Sequence, residues 1–172
     1  MIPFELHPEV PPEGADIASH LGMPPARLEQ MQEYLRGRMA EFGLPYIANR
    51  RWIFNTHKAL LLSEWAREKA PAQELVLNHH LFRAYFADES NLADEAILRD
   101  VMVKVGLPAD AALAQMDAPS YEKRLAEYGE MAKSFGITGV PAFIINGRYK
   151  IVGAQPYDTM LEALRQIAGE TS

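Results

Sequence analysis

The sequence predicts an α/β protein in which a short strand, a block of about six helices, a hairpin and a final helix follow one another. Three observations support this prediction. Residues 2–6 form an apolar opening segment; apolar residues between Pro24 and Phe135 recur at spacings of three and four; and residues 142–152 are rich in β-branched side chains around Asn146-Gly147. The first and third patterns are typical of strands, and the second is typical of helices.

The opening segment, residues 2–6, is short and apolar and precedes a stretch rich in proline. We therefore predict a strand followed by a loop. Because proline has no N–H to donate, Pro3 indicates either an edge strand or the start of a strand.

The helical block predicts six helices from the spacing of apolar residues and from caps at their ends. Pro24-Pro25 suits a first helical turn, and Gly43 a stop. Asn55 or Thr56 can cap the second helix. The predicted segments are residues 24–42, a helix beginning after Asn55 or Thr56, residues 75–86, a helix from Asn91 or Asp94 to Gly106, a short helix around residues 111–116, and residues 120–135.

The last part of the sequence changes to a strand pattern. Asn146-Gly147 is a strong hairpin signal because both residues tolerate a positive φ. We predict paired strands over residues 142–145 and 149–152, followed by a closing helix over residues 157–168.

Composition limits the possible function classes. The chain has 172 residues, 48% of them apolar, which fits one domain or one domain with a large insertion. Its 17 basic and 23 acidic residues give a net charge of −6, so we expect no nucleic-acid partner. No apolar run approaches the roughly 20 residues of a membrane span, and the first residues do not form a signal peptide. We therefore expect no membrane partner and a cytoplasmic location.

Metal ligation and thiol chemistry are also constrained by the sequence. Adjacent histidines on a helix point about 100° apart, so His79 and His80 do not chelate one ion together, and His57 has no partner at ligand spacing. We expect no metal site and no bound cofactor. The sequence contains no cysteine, which excludes disulfides and thiol nucleophiles within it.

Two C-terminal motifs carry a family resemblance. The run Thr-Gly-Val-Pro-Ala-Phe-Ile-Ile-Asn-Gly at residues 138–147, followed by Gly-Ala-Gln-Pro at residues 153–156, resembles the DsbA-like family, in particular its FrnE-type oxidoreductases. The opening motif Pro-Phe-Glu-Leu-His-Pro at residues 3–8 is similar to the same branch. The resemblance implies an incomplete thioredoxin-like fold with a large all-helical insertion between its second and third core strands. Residues 1–14 and 132–172 would form the thioredoxin-like domain, and residues 15–131 the insertion.

The resemblance also implies a binding site. Pro141 would follow a cis peptide bond, and the backbone at Gly139, Val140 and Pro141 would pair with an extended peptide or a thiol ligand. Asn55 lies where the glutathione-binding relatives place a ligand-contacting asparagine, although helix capping explains it equally well. Those relatives, 2-hydroxychromene-2-carboxylate isomerase and the kappa-class glutathione transferases, make glutathione a possible ligand.

The family begins with a strand and a Cys-x-x-Cys motif, neither of which is present here. We therefore expect a family member that is redox-inactive in this cysteine-free chain, with no catalytic residue. The alternatives are a glutathione- or peptide-binding protein or isomerase, and an interaction module built on the helical insertion. Because a sheet without that strand has unpaired edges, we expect either a fragment of a longer protein or a homo-oligomer formed by strand pairing or swapping.

Overall fold

The computed structural model describes residues 2–170, which divide into two compact units, one up to Ala126 and one from Glu127 onward. The described residues contain eight helices and four strands. In chain order these are β1 Ala15–Asp16, α1 Ile17–His20, α2 Pro25–Glu41, β2 Trp52–Ile53, α3 His57–Lys69, α4 Glu74–Phe86, α5 Glu95–Val105, α6 Ala109–Met116, α7 Pro119–Ser134, β3 Ala142–Ile145, β4 Tyr149–Val152 and α8 Tyr157–Glu170.

The core of the first unit is helical. Helices α3 to α6 and the start of α7 bury a continuous set of apolar side chains, among them Leu61, Leu62, Trp65, Leu77, Leu98, Met102, Met116 and Tyr121. Local signals set the helix ends. The Asp94 side chain accepts a hydrogen bond from the N–H of Ala96 at the start of α5, and Gly106 ends that helix with a φ of 75°. Within residues 2–170 none of the helices has the length and apolar content needed to cross a membrane.

A smaller apolar cluster of the first unit lies beside a short strand pair. Strands β1 and β2 are antiparallel, with Ala15 opposite Ile53. Val10, Ile17 and Ile53 are buried together, with Leu21 and Leu28 packed against them. This cluster holds the loop around Val10 against helix α1.

The second unit contains a β-hairpin and helix α8. Strands β3 and β4 are antiparallel and pair Ala142 with Val152 through to Ile145 with Tyr149. Asn146 and Gly147 have φ angles of 54° and 63°, and the N–H of Arg148 donates to the C=O of Ile145 at 3.1 Å. The predicted hairpin is confirmed, because this turn needs two residues that tolerate positive φ.

The six predicted helices of the helical block and the closing helix are confirmed, with ends displaced by only a few residues. The prediction of a strand over residues 2–6 is wrong, since no described residue of that segment is in a strand. Pro3 has no N–H to donate, and the Glu5 carboxylate is instead anchored by the His57 ring at 3.1 Å. The pair β1–β2 and helix α1 were not predicted, and they lie in the segment expected to be all-helical.

Candidate functional site

The loop that leads into strand β3 presents an exposed backbone segment in the second unit. The Val140–Pro141 peptide bond is cis, and Val140 is 56% exposed. The C=O of Pro141 accepts a hydrogen bond from the N–H of Gly153 at 2.8 Å. Within residues 2–170 neither the N–H nor the C=O of Val140 has a hydrogen-bond partner. Gly139, Val140 and Pro141 thus form one continuous segment with free backbone groups at its centre.

The pairing register shows that free backbone groups continue along the outer edge of strand β3, the edge that faces away from β4. Residues that face each other across an antiparallel ladder alternate between hydrogen-bonded and non-hydrogen-bonded pairs. Pro141 faces Gly153 and is bonded to it, so Phe143 and Ile145 belong to the bonded class. Ala142 and Ile144 therefore direct their N–H and C=O groups away from β4. Among the described residues no third strand joins this sheet.

Apolar side chains and a fixed support accompany the free edge. Phe143 is 42% exposed and Val152 is 45% exposed. The ammonium of Lys150 on strand β4 donates to the C=O of Phe135 at 2.8 Å and to the C=O of Gly136 at 3.2 Å. These carbonyls end helix α7, where a cation also complements the helix dipole. The hairpin is thereby anchored to α7, while the outer edge of β3 and the side chains of Phe143 and Val152, which the register places on opposite faces of the hairpin, remain exposed.

Asn55, the fourth predicted site residue, lies in the first unit at the start of helix α3. Its Oδ1 accepts a hydrogen bond from the N–H of His57 at 2.8 Å, and its Nδ2 donates to the C=O of Val10 at 2.8 Å. The side chain therefore satisfies one N–H of the helix start and ties α3 to the loop around Val10. Its role in ligand contact stays a prediction.

His57 is the first residue of α3 and lies between two carboxylates. Its Nδ1 is 3.1 Å from Oε2 of Glu5, and its Nε2 is 3.1 Å from Oε1 of Glu122. Partial burial lowers the pKa of His57, but the hydrogen bonds to Glu122 and Glu5, together with their negative charges, outweigh it and raise the pKa above the ordinary value. No local sequence pattern indicates this triad, because Glu5 and Glu122 are distant from His57 along the chain.

The raised pKa of His57 predicts a pH-dependent contribution to stability. A group whose pKa is higher in the folded state stabilises the fold below its unfolded pKa, about 6.5 for histidine, and loses that contribution as the pH rises through the folded value. We expect the His57 ring to titrate above pH about 6.5 in an NMR titration, and Glu122→Gln to move its midpoint downward. A wild-type midpoint at or below the ordinary value, or no change in the variant, would contradict this assignment.

A second cluster, whose side chains could bind a metal ion, was also not predicted from the sequence. His7, Glu9 and His20 bring three potential metal-ligand atoms within 4.8 Å of one another in the first unit. His7 and Glu9 belong to the sequence His-Pro-Glu, and a turn at this proline brings an imidazole and a carboxylate close together. His20 could not be added to them without knowing where helix α1 lies.

The chain order of a helical block, an antiparallel hairpin and a terminal helix, with a cis proline at the strand entrance, agrees with a DsbA-like thioredoxin fold. A family model described as a DSBA-like thioredoxin domain matches residues 1–165. The chain therefore belongs to the DSBA-like thioredoxin domain family. This confirms the family and the fold class that the sequence motifs predicted.

Individual proteins agree with this assignment. The crystal structure of a probable DsbA oxidoreductase from Streptomyces coelicolor is 28% identical, with a TM-score of 0.84, covering 97% of this chain and 74% of that one. A solved structure from Nitrosomonas europaea is 18% identical with a TM-score of 0.69, covering 87% of this chain and 78% of that one, and supports the fold alone. The thiol:disulfide interchange protein DsbA of Pseudomonas syringae pv. tomato is 31% identical over 70 residues, which are 41% of this chain and 33% of that relative. The similarity thus spans about a third of that curated relative's length.

Proposed function

We propose that this chain binds extended polypeptide along the outer edge of strand β3, as the substrate-holding part of a DsbA-like, FrnE-type oxidoreductase, and that its own residues carry out no thiol–disulfide exchange. The family assignment supports the class of substrate, which is protein chain. The single observation that carries the proposal is the free backbone at Val140, Ala142 and Ile144 beside the exposed side chain of Phe143.

The physical basis is addition of a strand to an open sheet edge. Main-chain hydrogen bonds to Ala142 and Ile144 supply affinity for any extended chain, whatever its sequence. The exposed side chain of Phe143 favours segments with apolar side chains, which are the segments that an unfolded protein exposes. Such a site recognises conformation more than sequence.

Redox inactivity follows from the composition. Exchange needs a thiolate that attacks a disulfide sulfur and forms a mixed disulfide. The 172 residues include no cysteine, so no side chain can be that nucleophile. We expect that this chain does not accelerate the reduction of insulin by dithiothreitol in a turbidity assay. An acceleration proportional to the concentration of the purified chain would contradict the proposal.

Binding is tested separately by isothermal titration calorimetry with an extended peptide of alternating valine and threonine. We expect saturable binding, and loss of binding for the same peptide with every backbone nitrogen methylated, because methylation removes the N–H groups while keeping the side chains. Equal affinity for the two peptides would contradict edge pairing. Binding of reduced glutathione without binding of either peptide would instead support the isomerase-like alternative.

The same free edge supports the proposal of a homo-oligomer, since two copies of β3 can pair with each other. Self-pairing and peptide binding would compete for the same backbone groups. Analytical ultracentrifugation distinguishes them: if β3 forms the dimer contact, saturating peptide should shift the chain toward the monomer. A compact monomer at all concentrations would count against self-pairing and leave the edge free for peptide.

A further inference from the structure

Three side chains of the first unit, those of His7, Glu9 and His20, converge at one point. His7 Nδ1 lies 3.3 Å from Glu9 Oε1, and His20 Nε2 lies 3.0 Å from the same oxygen. The two ring nitrogens are 3.4 Å apart, and the rings meet edge to face with centroids 5.1 Å apart. Three atoms that carry lone pairs thus form a nearly equilateral triangle.

The fold holds these three residues from two sides. His7 and Glu9 belong to one turn, closed by a hydrogen bond from the N–H of Val10 to the C=O of His7 at 3.2 Å. His20 ends helix α1, whose Ile17 is buried against Val10. The C=O of Val10 also accepts a hydrogen bond from Asn55 at 2.8 Å, which fixes the turn to the start of α3. The triangle is therefore set by packed elements rather than by one flexible loop.

Hydrogen bonds leave this cluster in one of two unfavourable arrangements. If both ring nitrogens carry protons, both N–H groups converge on the single oxygen Glu9 Oε1. If only one nitrogen carries a proton, the lone pair of the other faces the carboxylate at hydrogen-bond distance. A cation in the centre would accept all three lone pairs at once, as carboxylates and neutral imidazoles do around metals.

The spacing of the triangle identifies the class of cation. Zinc binds imidazole nitrogen at about 2.0–2.1 Å, so ligand atoms of a tetrahedral site lie about 3.3–3.4 Å apart, and those of an octahedral site about 2.9 Å apart. The three observed edges of 3.3, 3.0 and 3.4 Å lie on average closer to the tetrahedral value. Two imidazoles also favour zinc and its neighbours over magnesium or calcium, which prefer oxygen ligands.

We propose that His7 Nδ1, Glu9 Oε1 and His20 Nε2 bind one divalent cation of the zinc class, with a fourth position open to solvent. The side chain of Glu9 is 59% exposed, whereas that of His20 is only 15% exposed, so the open position lies on the solvent side of the carboxylate. The cation would join the turn at residues 7–10 to helix α1.

The test uses zinc chloride titrated by calorimetry into the metal-free chain, with magnesium chloride as the comparison. We expect one zinc ion per chain and no binding of magnesium. Because a ligand that binds only the folded state raises stability, the melting temperature should rise by about 5–10 °C at free zinc 100 times above Kd. A substituted Co²⁺ complex should show the strong visible absorption of a four-coordinate ion.

Three single variants locate the site. His7→Phe and His20→Phe keep an aromatic ring but lose the ligand nitrogen, and Glu9→Gln loses the charge. Each should weaken zinc binding at least about 10-fold. Removal of a residue that only hydrogen-bonds to a metal ligand already costs about 10-fold or more in metal affinity. Far-UV circular dichroism checks that each variant is folded without zinc, so that lost binding is not lost structure.

A matched control comes from helix α4. His79 and His80 are neighbouring histidines whose ring centroids are 6.2 Å apart, and within residues 2–170 they do not form a three-ligand cluster with a carboxylate. The double variant His79→Gln/His80→Gln should keep full zinc affinity. The proposal is overturned if the wild-type chain binds no zinc, if the three site variants bind zinc as tightly as the wild type, or if the control variant alone loses binding.

Discussion

Replacing Gly14 with alanine is expected to lower the free energy of unfolding by about 2–5 kcal/mol. Gly14 has a φ of 87°, which side chains of L-residues rarely adopt. A Cβ at this position would also lie 2.5 Å from Cδ1 of the Phe54 ring and 3.0 Å from the C=O oxygen of Ile53. That ring is stacked on Trp52 and packs against the helical core, so it cannot move away easily.

Gly43→Ala is the matched control for this prediction. Gly43 has a φ of 64°, but a Cβ there would meet nothing within 4 Å. Its replacement should cost only the backbone strain, about 1–2 kcal/mol. Urea denaturation followed by circular dichroism measures both variants. Equal losses in the free energy of unfolding would show that a Cβ at residue 14 does not clash with the Phe54 ring.

The second large effect is expected at Glu64, which is fully buried in helix α3. Its Oε1 lies 2.7 Å from Arg67 and its Oε2 lies 3.9 Å from Arg124. Removal of one partner from a buried ion pair costs about 3–5 kcal/mol when the other charge is left alone. Arg67 also contacts Glu74, and Arg124 contacts Glu68, so we expect Glu64→Ala to lie near the lower end, about 3 kcal/mol.

Glu33→Ala provides the comparison for Glu64. Glu33 pairs with Arg36 on helix α2, but both side chains are at least half exposed. Exposed pairs contribute less than about 1 kcal/mol because water and salt screen them. The same urea titration measures both variants. If Glu64→Ala lowers the free energy of unfolding by no more than Glu33→Ala does, the pairing of the buried charges does not stabilise the fold.

Most helices of this fold and its hairpin could be predicted from the sequence, because the caps, stops and turn residues that determine them lie within or beside each element. Helix α5 has its cap at Asp94 and its stop at Gly106, both within the element or beside it. The strands of the hairpin were predicted to the residue, since Asn146-Gly147 places the turn between them. Signals of this kind do not depend on where the rest of the chain lies.

The remaining features depend on contacts between distant residues. Strands β1 and β2 have two residues each and pair across the whole of helix α2, so no local periodicity reveals them. Residues 2–6 have the composition of a strand but form none, because a strand is defined by its partner. The pKa of His57 is raised by its hydrogen bonds to Glu5 and Glu122. The outward direction of the N–H and C=O groups of Ala142 and Ile144 follows only from the hydrogen bond between Pro141 and Gly153.

Amide hydrogen exchange measured by NMR tests the central claim, that the outer edge of β3 receives an extended chain. In the free protein we expect slow exchange at Phe143 and Ile145, whose N–H groups face β4, and fast exchange at Ala142 and Ile144. Addition of the valine–threonine peptide should slow exchange at Ala142 and Ile144 and leave the other two unchanged. Unchanged exchange at Ala142 and Ile144 in the presence of saturating peptide would contradict the proposed function.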